Sequence, residues 1–326
     1  MRCLALADHM AEQGWDISFC TQSESLRTIP TLTTKPYKVN ELKTSDDAWQ
    51  LKALHPQGCN VCVIDSYRLA EQYESRLRDW AEKILIIDDL ANRKHNCDVL
   101  LDPGLNRKVE DYSALVPNHC QFLLGPRYIP LRPQFRDFRN ESLKHHFEGT
   151  EFNRIQVSVG ASDPHNVTMT ILHGIEQSGL NLIVDVIMGG GSPCLLDVQT
   201  LSNKMSNEVN VHVDTDDVAN LMKMADLAIG AGGSTAWERC CLGVPSFVVT
   251  LSETQKEMVH NFDQVNSVHV LGHWSDLVPE KIARDLKRFS EDNVFRTTLS
   301  KNAAALCDGL GAKRVLENIQ NALTNG

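Results

Sequence analysis

The residues best placed for chemistry lie in one string, Ala228-Ile229-Gly230-Ala231-Gly232-Gly233-Ser234-Thr235-Ala236-Trp237-Glu238. An apolar run ends at Ile229, glycines follow, and a helical pattern begins near Ser234. Glycine lets the backbone pass close to a ligand, and the free N–H groups of a helix start, with the Ser234 and Thr235 hydroxyls, can meet a diphosphate. Glu238 lies one turn beyond Ser234 on the same face. A carboxylate repels phosphate but accepts from two vicinal hydroxyls, so Gly233, Ser234, Thr235 and Glu238 together suit a nucleotide better than bare phosphate. A structural reading is equally specific, because Thr235-Ala236-Trp237-Glu238 fits the S/T-x-x-E capping box, in which Glu serves backbone donors. The string is neither a Walker loop nor a dinucleotide G-x-G-x-x-G fingerprint.

A second turn, Gly160-Ala161-Ser162-Asp163-Pro164-His165-Asn166, follows the apolar run ending at Val159. Its small residues allow close backbone approach, and Asn166 is suited to cap the next helix. In the first half, Ile64-Asp65-Ser66-Tyr67 and Ile87-Asp88-Asp89 each end a strand pattern with polar groups, where carboxylates can take sugar hydroxyls. Asp88-Asp89 has no surrounding metal-ligand set at convincing spacing, and capping is the simpler role. Arg127 and Arg132 flank a Pro-fixed turn, where a cation would suit an anionic or amide-bearing ligand. His165 is the one histidine whose position invites a ligand role. Cys59-Asn60-Val61-Cys62 has the spacing of a zinc or redox motif, but it runs into the strand pattern Val63-Ile64-Asp65 and no second Cys or His pair answers it, so these read as buried structural thiols.

The elements that must hold these groups alternate between apolar runs and amphipathic stretches, the pattern of parallel α/β units. Strands are expected at 17–20, 61–65, 84–88, 99–101 and 121–124, then at 155–159, 182–188, 209–213, 227–229 and 246–249, with helices between them such as 70–81. The polar stretch Asn140–Thr150 reads as a linker, dividing residues 1–145 from 146–326. Two Rossmann-like lobes with a ligand cleft between them follow. From Pro279 onward the chain reads as helical, and its last segment, 313–323, is suited to brace the first lobe. The chain opens on a helical face, Leu4, Leu6, Ala7 and Met10, where an α/β lobe normally opens with a strand and a glycine turn.

Composition narrows the function classes. Of 326 residues, 32 are basic and 42 acidic, and the net charge of −10 argues against a nucleic-acid surface. No apolar run approaches the roughly 20 residues of a membrane span. Ten cysteines without an even framework or export signal read as free thiols in a cytoplasmic protein, and nothing suggests an oligomer, so a monomer is expected.

Taken together, Arg2–Ala7, Val63-Ile64-Asp65-Ser66-Tyr67, Ile86-Ile87-Asp88-Asp89, Cys97–Asp102, Leu115-Val116-Pro117, Leu131-Arg132-Pro133-Gln134-Phe135, the Gly160–Asp163 turn and the Gly232–Thr235 loop with Glu238 resemble the PseG family. These are UDP-2,4-diacetamido-2,4,6-trideoxy-β-L-altropyranose hydrolases of pseudaminic acid biosynthesis, the sugar used in flagellin glycosylation. The resemblance implies a GT-B-type α/β fold, related to MurG, and metal-independent, cofactor-free hydrolysis of a UDP-sugar, with water attacking the anomeric carbon. It implies that Glu238 holds the ribose and that Gly233, Ser234 and Thr235 take the diphosphate. Asp65, Tyr67 and Arg132 would line the sugar pocket, with further contacts from Ser162, Asp163 and Gln255. The sequence departs from the family in having Ala161 for Gly, and Thr254 for Asn before Gln255. The family's general-base His, in a G-x-G-H-x-x-R turn, would precede Met1 when its Arg is matched to Arg2, so no catalytic base is identified. A non-catalytic UDP-sugar binder and a MurG-like glycosyltransferase are the alternatives.

Overall fold

The computed structural model describes residues 1–326 except Pro30, Ser45, Gly149, Thr150, Asn325 and Gly326, and the side chains of Arg27 and Thr28. The strands are β1 (Ser18–Thr21), β2 (Lys38–Glu41), β3 (Cys59–Asp65), β4 (Ala81–Ile87), β5 (Val99–Asp102), β6 (Gln121–Leu124), β7 (Arg154–Ser158), β8 (Ile183–Met188), β9 (Glu208–Val213), β10 (Leu227–Ala231), β11 (Ser246–Thr250) and β12 (His269–His273). Every strand pairing is parallel. The chain forms two compact units, Met1–Pro133 with the residues from Gly309 onward, and Gln134–Asp308.

In the first unit the sheet order is β3-β4-β5-β6, and β1 and β2 form a separate pair. The register Asp65↔Ile87, Ile87↔Leu101, Leu101↔Leu123 aligns the carboxyl ends of the four strands in a row. Both faces of this sheet are covered, so the central strands read as unbroken apolar runs and alternate residues go to opposite cores. Ile84, Ile86 and Leu100 join Leu77 and Tyr112 on one side. Leu85, Ile87, Val99 and Leu101 meet Leu6 and Met10 of helix Arg2–Glu12 and Val315, Leu316 and Ile319 of helix Gly311–Thr324 on the other. The last helix therefore braces the first unit, as its apolar spacing suggests. Gly311 allows it, because a Cβ there would run into the backbone of Ile129. A two-stranded pair is marginal alone. Here Cys20 packs into the first core and Ser18 bonds the His55 ring at 3.1 Å.

The second unit has a six-stranded sheet in the order β12-β11-β10-β7-β8-β9. The chain starts at β7, moves outward through β8 and β9, then crosses back to build β10, β11 and β12 on the other side. Adjacent loops at β7 and β10 thus leave in opposite directions, and α/β sheets bind ligands at such a switch point. Ile155, Val157, Val184, Val186, Phe247 and Val249 form the core with Ile171, Ile175, Ile282 and Leu286.

The strand expectations for β1 and β3 to β11 hold with ends shifted by a residue or three. The expected 70–81 helix shrinks to Glu71–Ser75, because Ala81 already pairs with Cys59 as the start of β4. The division expected at 145 falls at Pro133/Gln134 in the structure, and the stretch read as a linker is mostly the end of helix Pro133–Phe147. Gly149 and Thr150 lie outside the described residues. Those polar residues serve the second unit. Ser142 binds the carbonyl of Leu242 at 2.7 Å and His145 meets Asp226 at 2.8 Å, while Arg139, just before the stretch, binds the carbonyls of Cys241 and Ala304.

His146 ends the same helix buried, with Nε2 unpaired, and burial lowers its pKa from 6.5 to about 3, with a smaller push from His145. The folded imidazole stays neutral while the unfolded one protonates below pH 6.5, so its contribution to stability is present above that pH and lost as pH falls. Between pH 7.5 and 5 this linkage removes about 2 kcal/mol. Denaturant unfolding at the two pH values should show that loss in the wild type, and a loss smaller by about that amount in His146→Gln.

Candidate functional site

At the carboxyl edge of the first unit's sheet, four aspartates stand side by side. Two are scaffold. Asp88 and Asp102 are wholly buried, and the Tyr112 hydroxyl bridges them at 2.9 and 2.7 Å. Arg93 pairs with Asp88 at 2.7 Å and Arg107 with Asp102 at 2.6 Å. Burial raises the Asp88 carboxyl, but the Ala91 amide, Arg93 and Tyr112 outweigh it and its pKa ends below the ordinary value. At Asp102 burial prevails over the Gly104 amide, Tyr112 and Arg107, and the pKa is raised. A buried charge without partners is costly, so the arginines and Tyr112 are what permit carboxylates at this depth.

The other two aspartates are reachable from solvent. Asp65 and Asp89 keep 25% and 30% of their side-chain surface exposed, and Arg2, first residue of the opening helix, ties them together. Its guanidinium is bidentate on Asp65, at 2.6 and 3.1 Å, and reaches Asp89 at 2.7 Å. Burial opposes the Arg2 charge, and Asp65 and Asp89 more than offset it, so its pKa is raised. Tyr67 is exposed and donates to Asp89 at 3.2 Å. Burial, and then Asp89, push its phenol up to about 12, so it remains a neutral donor at physiological pH. The sequence-expected Asp65 and Tyr67 therefore meet through Asp89, one of the carboxylates expected at this edge, and through Arg2, whose site role the sequence did not announce. Arg132 is half-buried, just before the start of helix Pro133–Phe147.

The second unit gathers its groups at the β7/β10 switch point. Gly230 has no room for a Cβ, which would strike the Ser158 carbonyl of β7, and a Cβ on Gly232 would strike Val259. Past this tight pairing the N–H groups of Gly233, Ser234 and Thr235 donate to no acceptor among the described residues, whereas Gly232 N–H is taken by Val249 at 3.1 Å. Helix Thr235–Leu242 begins with Ser234 as its cap residue and no side-chain cap bond, so the capping box centred on Thr235 is not formed. Ser234 is exposed, Thr235 and Glu238 are half-buried on the same side, and Gln255 comes within 3.8 Å of the Cβ position of Gly233.

On the β7 turn the expected roles part. Asp163 is buried, in a left-handed conformation at φ 36°, and its two oxygens accept the Val167 and Thr168 amides at 2.9 Å each. It caps the helix that Asn166 was expected to cap, and its oxygens are occupied, while Ser162 stays exposed. A third glycine loop, Gly189-Gly190-Gly191 after β8, lies against this turn, with Gly189 N–H bonded to the Ala161 carbonyl at 2.9 Å. Its signal was legible, since glycines follow directly on the apolar run ending at Met188. His165 is exposed and stacks flat on Trp274, with ring centroids 3.8 Å apart. His9 has a buried, unpaired Nε2 and cannot serve solvent-borne water. Cys59 and Cys62 are free thiols, and no metal-holding cluster of His, Cys, Asp or Glu occurs among the described residues. Nor is any described helix long and apolar enough to cross a membrane.

No protein-family model matches the chain. It is 25% identical over 280 residues to an uncharacterised protein of Methanocaldococcus jannaschii, covering 82% of this chain and 56% of that protein. It is 31% identical over 212 residues to the spore coat polysaccharide biosynthesis protein SpsG of Bacillus subtilis, covering 63% and 60%. The chain thus spans less than two thirds of the length of these two relatives. A UDP-2,4-diacetamido-2,4,6-trideoxy-β-L-altropyranose hydrolase of Campylobacter jejuni is 24% identical over 234 residues, covering 72% and 80%. Among solved structures, MurG of Acinetobacter baumannii superposes with a TM-score of 0.66 at 14% identity, covering 98% and 95% of the two chains. A UDP-N-acetylglucosamine 2-epimerase from Listeria monocytogenes reaches 0.65 at 9% identity, covering 100% and 94%. The chain is similar in sequence to a PseG-type hydrolase, and its fold is α/β of the GT-B type, two Rossmann-like lobes built on parallel sheets.

Proposed function

We propose that this protein processes nucleotide sugars, and that it hydrolyses a UDP-linked diacetamido-trideoxyhexose to the free amino-sugar and UDP. The observation that carries the reading is the row of undonated amides at Gly233, Ser234 and Thr235, with Glu238 one turn beyond, at the switch point of a parallel sheet. Amides facing a diphosphate and a carboxylate facing a diol answer the two ends of a nucleoside diphosphate. The similarity to the Campylobacter jejuni hydrolase supports the choice of sugar and reaction.

In the first unit, Asp65 and Asp89 present acceptors and Tyr67 a donor, a set suited to acetamido N–H and C=O groups and to hydroxyls. In the reaction a water oxygen forms a bond to the anomeric carbon, and the bond from that carbon to the diphosphate oxygen breaks, the electron pair leaving with UDP. The proton released by water requires an acceptor, and at this sheet edge the solvent-reachable carboxylates Asp65 and Asp89 stand nearest to that role. A glycosyltransferase would use the same nucleotide site with a sugar acceptor in place of water, and the GT-B-type fold supports that second reading.

Incubating the full chain with UDP-linked acetamido-sugars and following UDP release separates the two. Release in water alone, with free amino-sugar as co-product, is expected; release that appears only when a sugar or lipid-linked acceptor is added would make the protein a transferase. A binding test addresses Glu238. The wild type should bind UDP about 10-fold more tightly than 2′-deoxy-UDP, the worth of a hydrogen bond to a charged acceptor. Glu238→Ala should bind the two alike, and a preference that survives the substitution would leave Glu238 without a ribose role.

A further inference from the structure

Arg239 brings a full positive charge into the interior of the second unit without a carboxylate partner. It is 2% exposed, and no ion pair to it occurs among the described residues. One terminal nitrogen, Nη2, donates to the carbonyl of Ala231 at 2.8 Å. The other, Nη1, lies 2.8 Å from the point a Cβ on Gly230 would occupy, and Nε has no partner at all. The guanidinium is therefore lodged directly under the β10 turn, against the two residues that lead into Gly232–Thr235. Burial works on it strongly, lowering its pKa from 12.5 to about 10, which still leaves it charged at neutral pH.

A buried unpaired ion is among the more expensive features a fold can carry, and a Met or Leu would fill the same space without that cost. On helix Thr235–Leu242 it sits among the buried Ala236, Trp237, Cys240 and Cys241, and the half-buried Glu238 beside it acts on it through its charge, too little to offset the burial. A charge in such a place is rational when its counter-charge arrives with a ligand. The undonated amides of Gly233, Ser234 and Thr235 point to an anion on this same turn. Field lines from Arg239 to that anion run through protein, not water, and are screened far less than those from a surface lysine.

We propose that Arg239 is a positioning residue for the nucleotide's diphosphate: from beneath the turn it fixes the Ala231 peptide and supplies the positive potential that the bound phosphates complete. The proposal rests on the nucleotide reading of the Gly232–Thr235 turn given above.

The test is calorimetric titration of UDP and of uridine, which has no phosphate, into the wild type, Arg239→Gln, Arg239→Met and Arg239→Lys, with thermal melts of each. Gln keeps a donor for the Ala231 carbonyl without the charge, and Lys keeps the charge. UDP affinity should fall on the order of 10-fold or more in the Gln and Met variants and recover in Lys, while uridine affinity stays constant. Without ligand, the Tm of the Met variant should be equal to or above that of the wild type, while its UDP-induced shift shrinks. Equal losses for UDP and uridine, or UDP affinity untouched in the Gln and Met variants, would overturn the proposal and leave Arg239 a structural residue. A wild type that binds neither UDP nor uridine would instead contradict the nucleotide reading itself, and the proposal with it.

Discussion

The pairing of β7 with β10 is the interaction on which the second unit's chemistry depends. Gly230 sits opposite Ser158 in the register, too close to its carbonyl for any side chain, so the two strands end side by side at one edge of the sheet. Parallel strands can do this only with crossover connections between them, here helices that cover the sheet, and the helix after β10 begins at that edge with unpaired amides. Substituting Gly230 would push β10 off β7 and separate the turns that carry Ser162 and Ser234. Chemistry, topology and the choice of glycine are here one constraint seen from three sides.

The two units manage charge in opposite ways at their ligand edges. In the first, buried carboxylates are neutralised within the protein: Tyr112, Arg93 and Arg107 satisfy Asp88 and Asp102, and Glu74 holds the ring of buried His95 at 2.7 Å. This rigid layer supports the exposed Asp65 and Asp89, which Arg2 and Tyr67 hold in place. In the second, buried Arg239 makes no ion pair among the described residues, and the favourable charge of Glu238 does not offset its burial. A preorganised, charge-paired layer suits recognition of neutral hydroxyl and amide groups, and a buried cation without an ion pair suits an anion.

Much of this was legible in the sequence. The apolar runs 84–87 and 99–101 announce strands buried on both faces, and the glycine turns after β7 and β10 announce their place in the fold. What was not legible depends on partners distant in the chain. Asp163 and Asn166 are equally good capping residues by type, and both are left-handed in the folded turn, but only the Asp163 carboxylate reaches the Val167 and Thr168 amides. The polar stretch at 140–150 resembles a linker in composition, yet Ser142 and His145 are polar because a carbonyl and a carboxylate await them in the second unit. β2 and β12 are edge strands with polar or glycine-interrupted sequences, Lys38-Val39-Asn40-Glu41 and His269-Val270-Leu271-Gly272-His273, and lack the apolar run that marks an interior strand. Arg239 directly follows the string that drew attention first, but burial of its charge is a property of the packed unit and leaves no mark on the local sequence.

The central claim is that a nucleoside diphosphate binds at the β7/β10 switch point of the second unit. Hydrogen–deuterium exchange of the full chain with and without saturating UDP tests it directly. The account predicts slowed exchange concentrated in peptides spanning 230–238 and 160–166, with the first unit's sheet β3 to β6 unchanged. Saturating UDP that leaves those two turns exchanging as before, or that protects only other segments, would contradict it.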